Sequence, residues 1–373
     1  MIEKLFLIDG MALIYRAYYA MVKNPLTSSK GVNTSVLYGF INSLLKLLKD
    51  ENPKYIAIVL DTKAKTFRHK EYNLYKANRK PMPDDLSEQL ATLYKVLDTL
   101  NIKVFKKDGY EADDLIGTIP ELINNDNIST YMYSGDKDLV QLVNKNTFLY
   151  NPGNSFKPKT VYDIDGVYNK YGIYPENFID YLALLGDTSD NIPGVRGVGT
   201  KTACKLVKEF FTVENIYKNI EKIDNPRLKK LLLDNKDNAF LSKSLVTIDK
   251  NVKIDFNINA MKVEDLFTDK MINELHDYDI YTFDKLLNNK SNVNTNKVKV
   301  KKTYNLIDNF KNLKSLLSSM KKQEFVSIDL ETTSLDPNLA EIVGISISFK
   351  KNTGYYIPLL YNNKSISSFN SEK

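Results

Sequence analysis

Two short apolar runs in this chain each end on an aspartate: Leu5-Phe6-Leu7-Ile8 on Asp9, and Ile56-Ala57-Ile58-Val59-Leu60 on Asp61. Apolar runs this short, without polar alternation, fit strands covered on both faces, which is the condition of a parallel sheet. Residues 102–105 and 130–133 would add two more strands. Between the first two, Val36, Phe40, Leu44, Leu47 and Leu48 recur at helical spacing. Leu86, Leu90, Leu93 and Leu97 predict a second helix over 84–100, behind Pro83. Strands alternating with helices predict an α/β fold, a mostly parallel sheet with helices on both faces. Asp9, Asp61 and Asp136 then fall at or just past the carboxyl ends of strands, where open α/β sheets place their ligands.

Three further stretches crowd carboxylates together: Gly109-Tyr110-Glu111-Ala112-Asp113-Asp114, Ser134-Gly135-Asp136-Lys137-Asp138 and Gly186-Asp187-Thr188-Ser189-Asp190. Gathering these side chains in one site costs several kcal/mol unless cations neutralise them. Hard divalent ions such as Mg²⁺ or Mn²⁺ prefer all-oxygen ligands and are the matching partners. A helix expected over 111–123 sets Glu111 and Asp114 on one face at i,i+3, turns Asp113 elsewhere, and is kinked or shortened by Pro120.

At 373 residues the chain accommodates about two domains. No apolar run approaches the ~18 residues of a membrane span, and Glu3, Asp9 and Arg16 spoil the N-terminus as a signal peptide. The single cysteine, Cys204, excludes an internal disulfide and fits a reducing, cytoplasmic setting; it reads as a buried helical residue. His69 and His276 have no ligand-like spacing. The formal charge of +6 is modest but segregated: residues 62–82 hold seven Lys or Arg against the single acid Glu71. A basic surface around an acidic pit suits a phosphodiester-cleaving site.

Within that basic segment, tyrosines such as Tyr75 offer stacking surfaces for bases, and Lys76 and Arg79 stand one helical turn apart. A solvated loop is the plainer alternative. The glycine-rich turn at 192–203, with Gly194, Gly197 and Gly199 beside Arg196 and Lys201, opens a helix and can approach a phosphate closely. Its spacing is not that of a dinucleotide site, so a helix–hairpin–helix gripping DNA backbone or a plain inter-helix turn remain. From about residue 162 to 287 the chain reads as helical. Residues 288–302 hold five lysines and no acid, a linker composition, and 324–349 returns to strand pattern.

Residues 1 to about 290 resemble the 5′ nuclease domain of the bacterial DNA polymerase I family, related to phage and cellular flap endonucleases. The matching motifs run in order: Leu7-Ile8-Asp9-Gly10 with Tyr15-Arg16-Ala17, Phe67-Arg68-His69, Tyr75-Lys76-Ala77-Asn78-Arg79, the three acidic stretches, and 186–199. The resemblance implies a PIN-like α/β catalytic domain over 1–161, with a helical arch at about 62–83. It implies a helical part over 162–287 with a helix–three-turn–helix at about 186–212, holding a K⁺ ion in some members. Asp9, Asp61, Glu111, Asp113 and Asp114 match a first metal site, and Asp136, Asp138, Asp187 and Asp190 a second, for two Mg²⁺ or Mn²⁺. Lys76 matches the arch position that stabilises the reacting phosphate. Arg16, Tyr75, Lys76, Arg79, Gly194, Arg196, Gly197, Gly199 and Lys201 match nucleic-acid contacts. The implied activity is 5′–3′ exonuclease and flap-endonuclease cleavage of DNA with 5′ flaps, nicks or 5′ ends, RNA primers included. The implied setting is replication and repair at the bacterial nucleoid, as a monomer. A non-catalytic DNA-binding remnant is the alternative.

Phe325-Val326-Ser327-Ile328-Asp329-Leu330-Glu331-Thr332 resembles the first motif of an RNase H-like 3′–5′ proofreading exonuclease, with Asp329 and Glu331 on one strand face. After Glu331 only Asp336, Glu341 and Glu372 are acidic, and none stands in a matching motif. Residues 303–373 are therefore expected to be an incomplete domain without proofreading, and the chain a fragment or truncated product of a longer polymerase.

Overall fold

The apolar runs at Leu5 and Ile56 form β1 (Glu3–Asp9) and β2 (Tyr55–Val59), paired in parallel with Asp9 beside Val59. The computed structural model describes residues 2–154, 157–264, 266–283, 303–334, 336, 338–361 and 364–365. Along β1 the side chains alternate between two cores: Leu5 and Leu7 enter one, Phe6 and Ile8 the other. Both cores are needed because a parallel strand has no face left for water. Helices α1 (Gly10–Met21) and α2 (Ser35–Glu51) cover the Phe6 face. The short α3 (Phe67–Glu71) precedes α4 (Asp84–Leu97), which packs with α2.

Strands β3 (Lys103–Phe105), β4 (Ile128–Tyr133), β5 (Thr147–Asn151) and β6 (Thr160–Tyr162) complete a six-stranded sheet of order β3-β2-β1-β4-β5-β6. All pairs are parallel except β5–β6. The chain leaves β1 toward β2 and later returns to β4 on the opposite side of β1. The crevice between the carboxyl ends of β1 and β4 is therefore a topological switch point. Helix α5 (Ala112–Glu121) packs on the Leu5 face through Leu115, Ile116 and Ile119. It carries Pro120 in its last turn, where the helix stops, as the sequence predicts.

β5 and β6 go unnoticed in the sequence. β5 has only three consecutive apolar or aromatic side chains, and β6 is a short, largely exposed antiparallel edge. Beyond them come α6 (Ile164–Tyr171), α7 (Phe178–Leu185), α8 (Thr200–Phe210), α9 (Val213–Lys218), α10 (Pro226–Asp234), α11 (Lys236–Val246) and α12 (Asp269–His276). The apolar faces of α6 to α11 join the core behind the Leu5 face of the sheet, while α12 packs into the Phe6-face core through Met271, Ile272 and Leu275. No core boundary therefore falls at residue 161, and Met1–Lys290 is one compact unit. Cys204 is half-buried on α8.

The second unit, Ser291–Lys373, has a four-stranded sheet. β7 (Thr303–Leu306), β8 (Ser327–Thr332), β9 (Ile342–Lys350) and β10 (Thr353–Pro358) lie in the order β7-β10-β9-β8. The helix Phe310–Met320 covers one face through Leu316, which packs with Ile307, Ile347 and Ile357. The expected linker at 288–302 lies outside the described residues.

Candidate metal centre and nucleic-acid interface

The strand ends build the site. Asp9 closes β1 and caps α1, accepting a hydrogen bond from the Ala12 amide (3.0 Å). Because Ile8 pairs with Tyr133, the next residue on β4's side is Ser134, whose hydroxyl donates to Asp9 Oδ2 (2.8 Å). The Asp136 amide donates to that same hydroxyl (3.1 Å), and the Asp138 amide to Asp136 Oδ1 (2.9 Å). The turn after α7 brings Asp187 and Asp190 to the same place. A cavity of about 620 Å³ is lined by Asp9, Asp136, Asp138, Asp187 and Asp190, with Arg16 at its side.

Crowding shows in the acid–base properties. Desolvation, then the charges of Asp61 and Asp136, pushes Asp9 up to about 6, against the amide and hydroxyl bonds it accepts. Desolvation and Asp136 raise Asp138 to about 7. Asp113 is driven well above the carboxylate range by burial and then by Asp136, Asp9 and Asp61. Asp61, which accepts from the Ala112 amide (2.9 Å), is raised by desolvation and by Glu111. Asp187 goes the other way: desolvation is outweighed by its Lys137 partner (2.8 Å) and the Ser189 amide.

The expected pairing of Glu111 with Asp114 on a ligand face is corrected. Glu111 is the N-cap of α5, outside the helix. Asp114 is fully buried and takes four hydrogen bonds: two from Arg68 (2.8 Å each), one from the Glu111 amide (3.0 Å) and one from the Asp249 amide (2.9 Å). Its lone pairs are spent on structure. Asp113, expected to turn away, is the residue whose charge meets Asp9, Asp61 and Asp136.

Tyr75 is also corrected. It is only 4% exposed, so its ring offers no stacking face. Instead its hydroxyl donates to Glu111 Oε2 (3.1 Å) and Asp190 Oδ2 (3.3 Å). Burial and those two carboxylates raise its pKa, which keeps the donor proton on. The expected helical arch is a short helix, α3, followed by a run of turns. Lys76 has φ 57°, so no continuous helix runs through the segment, although a single turn still joins the Arg79 amide to the Lys76 carbonyl (3.1 Å). The segment is held down by the Lys76 amide on the Asp190 carbonyl (2.9 Å) and by Asn191 on the Leu74 carbonyl (2.7 Å).

Gly194 is corrected as a phosphate contact. Its amide donates to Ser242 (2.9 Å), and a Cβ there would meet the Gly186 nitrogen at 2.5 Å. Arg196, Gly197, Gly199 and Lys201 are exposed, with Gly199 capping α8. Asp329 and Glu331 are exposed on β8. Among the described residues no three carboxylates stand in ion-holding geometry. The chain's own cations sit on them: Lys76 on Glu111 (2.6 Å), Arg79 on Asp190, Lys137 on Asp187. The donor set still fits a hard divalent ion, since it is all oxygen and Asp138 Oδ1 is buried without a hydrogen-bond partner.

Sequence reasoning missed the roles of Arg68, Lys137 and His69. Arg68 is buried and also donates to the Leu245 and Thr247 carbonyls (2.8 Å each). The signal for Lys137 was its place between Asp136 and Asp138. His69, which has no ligand-like spacing, accepts from the Thr66 amide (3.2 Å) in a capping box.

The sequence profile of the 5′-3′ exonuclease N-terminal, resolvase-like domain matches residues 4–172, and that of the 5′-3′ exonuclease C-terminal SAM fold matches 173–269. A 5′-3′ exonuclease of Aquifex aeolicus is 38% identical over 264 residues, which cover 70% of this chain and 87% of that protein. The chain belongs to the 5′-3′ exonuclease family. Within wider 5′-3′ exonuclease kinship, DNA polymerase I of Borreliella burgdorferi is 35% identical over 380 residues, 96% of this chain and 41% of that one. DNA polymerase I of Bacillus subtilis is 39% identical over 271 residues, 72% of this chain and 30% of that one. The chain thus spans less than half the length of these polymerases. T5 5′-exonuclease with bound zinc aligns with TM-score 0.53 and 23% identity over 66% of this chain and 90% of that one. Bacteriophage T5 flap endonuclease, in a pseudo-enzyme–product complex with DNA and metal ions, gives 0.54 and 21% over the same shares. These likenesses establish the fold. Among the described residues no helix is long and apolar enough to cross a membrane.

Proposed function

We propose that this member of the 5′-3′ exonuclease family is a structure-specific, metal-dependent nuclease that hydrolyses phosphodiester bonds at 5′ flaps, nicks and 5′ ends of DNA, RNA primers included. Its setting is replication and repair in the bacterial cytoplasm, as a monomer and as the N-terminal portion of a DNA polymerase I. The observation that carries this reading is the convergence of five aspartates from β1, the β4 end and the α7–α8 turn on one cavity, whose lining also holds Arg16, Arg79 and Lys137.

Asp9, Asp61, Glu111 and Asp113 would hold one divalent ion, and Asp136, Asp138, Asp187 and Asp190 a second; Mg²⁺ or Mn²⁺ suits both sets. Such ions supply positive charge at the phosphate and acidify water. The remaining work falls to the chain. Tyr75 fixes Glu111 and Asp190 in orientation through its hydroxyl. Lys76 and Arg79, now satisfied by those acids, become available to phosphate oxygens when other cations neutralise the acids. Ser134 holds the unprotonated Asp9 toward the cavity. Arg196, Gly197, Gly199 and Lys201 bind duplex backbone without reading bases, with K⁺ as a further counter-ion at that turn.

Product lengths from 5′-labelled flap, nicked, blunt and single-stranded substrates in Mg²⁺ test the reading. Release of the intact flap with a preference for the flap–duplex junction supports it; uniform cleavage of single strands, or cutting from 3′ ends, contradicts it.

A further inference from the structure

Beside the acidic cavity lies a second one, of about 520 Å³, that shares Arg16, Tyr133, Pro152 and Asn154 with it. Its floor is the stacked pair Tyr133 and Tyr150 at the ends of β4 and β5, with ring centroids 5.5 Å apart. One wall is α2, where Ser43, Lys46 and Asp50 share a face at i,i+3 and i+7 while Leu44 and Leu47 turn into the core. The opposite wall is Lys157 and Lys159, which lead into β6.

The charge balance separates this cavity from its neighbour. In the acidic cavity the cations Arg79 and Lys137 are paired with Asp190 and Asp187. In the second, Lys159 is paired with Glu51 (2.6 Å), which also takes Lys4 (3.0 Å) and the Tyr150 hydroxyl (3.1 Å). Glu51 is thereby used up. Arg16, Lys46 and Lys157 have no carboxylate within ion-pair distance among the described residues, and Asp50 is the one acid of the lining. Converging cations without protein partners make an anion site, and a phosphate matches their donors.

We propose that this cavity is a phosphate-binding subsite for the strand being cut, with Lys46 and Lys157 as its binding residues and Arg16 as the hinge to the carboxylates. The proposal rests on the nuclease reading above. A strand whose scissile phosphate lies over Asp9 and Asp136 passes Arg16 and delivers a neighbouring phosphate to the second cavity. That phosphate is either a diester of the strand or its 5′-terminal monoester; both present the same oxygens.

The test compares wild type, Lys46→Ala/Lys157→Ala and Lys46→Arg/Lys157→Arg, all as the full chain, on flap duplexes in Mg²⁺. The alanine pair is expected to raise KM about tenfold with kcat within about twofold, and to reduce the salt slope by about one per lysine. The arginine pair is expected to restore both. If a 5′-hydroxyl end on the substrate reproduces the KM rise in wild type and adds nothing in the alanine pair, the ligand is the monoester. If a single neutral methylphosphonate linkage next to the cut does so, it is the diester. Wild-type cleavage with KM and salt slope unmoved in the alanine pair overturns the subsite while the nuclease stands. Absence of cleavage by wild type overturns both.

Discussion

Arg68 and Asp114 bury opposite charges beneath the acidic site and tie three parts of the chain together: the base of the basic segment, the start of α5 and the end of α11 with the residues after it, 245–249. Removing one partner leaves an uncompensated charge, so Arg68→Met is expected to lower stability by about 3–5 kcal/mol, read by urea denaturation. Arg68→Met/Asp114→Leu is expected to recover part of that loss. The raised carboxyls give a second prediction. Asp9 and Asp138 titrate near 6 and 7 in the fold, above their ordinary 3.8. Their protonated forms are favoured by folding, so their contribution is full below about pH 4 and is lost as pH rises through 6 to 7. Divalent ions displace those protons. The rise in melting temperature caused by Mn²⁺ is therefore expected to be small at pH 5 and to grow up to about pH 7.5; a pH-independent rise would contradict it. Among single residues the sequence revealed which acids gather but not which way each points. Asp113 and Asp114 are adjacent, and the choice between them was decided by a buried arginine 46 residues away.

At the scale of elements, continuous apolar runs announced β1 and β2, because strands buried on both faces leave that pattern and few alternatives, while β3 and β4 were read from weaker runs that include Lys103 and Thr130. β5 offers only Phe148-Leu149-Tyr150 between polar ends, and β6 is a short, largely exposed antiparallel edge, so neither was read. The basic segment shows the opposite failure. Its charge was legible, but its conformation was set by partners far along the chain, with Lys76 in the left-handed region and its amide on Asp190. Lys76→Met is expected to lower the cleavage rate by at least about a hundredfold, with melting temperature little changed. The α7–α8 turn depends on close contact between glycines: Gly194 has φ +60°, and a Cβ there would lie 2.5 Å from the Gly186 nitrogen and 2.7 Å from the Leu185 carbonyl carbon. Gly194→Ala is expected to cost about 2 kcal/mol or more from backbone strain and contact together, and to weaken duplex binding because the Asp187–Lys201 stretch shifts as one piece. A variant melting like wild type would contradict that reading.

Over the whole molecule, each unit has its own core: two hydrophobic clusters in the first, around Leu5 and Phe6, and one in the second, around Ile347. A chain ending at Lys290 is accordingly expected to keep the melting temperature of the nuclease unit and its kcat/KM within about twofold. The two units divide at residue 290, within the lysine- and asparagine-rich run 288–302, whereas the core that sheet and helices share leaves no mark in the sequence near residue 161. The central claim is that the gathered carboxylates make a divalent-metal centre for cutting DNA. Its most direct test is single-turnover cleavage of a 5′-labelled flap duplex with and without Mg²⁺, by wild type and by Asp136→Ala/Asp187→Ala, with DNA affinity measured alongside. Short labelled products that require Mg²⁺ and fall at least about a thousandfold in the variant, with DNA still bound, are predicted. Binding without metal-dependent cleavage, or equal cleavage by both proteins, would contradict it.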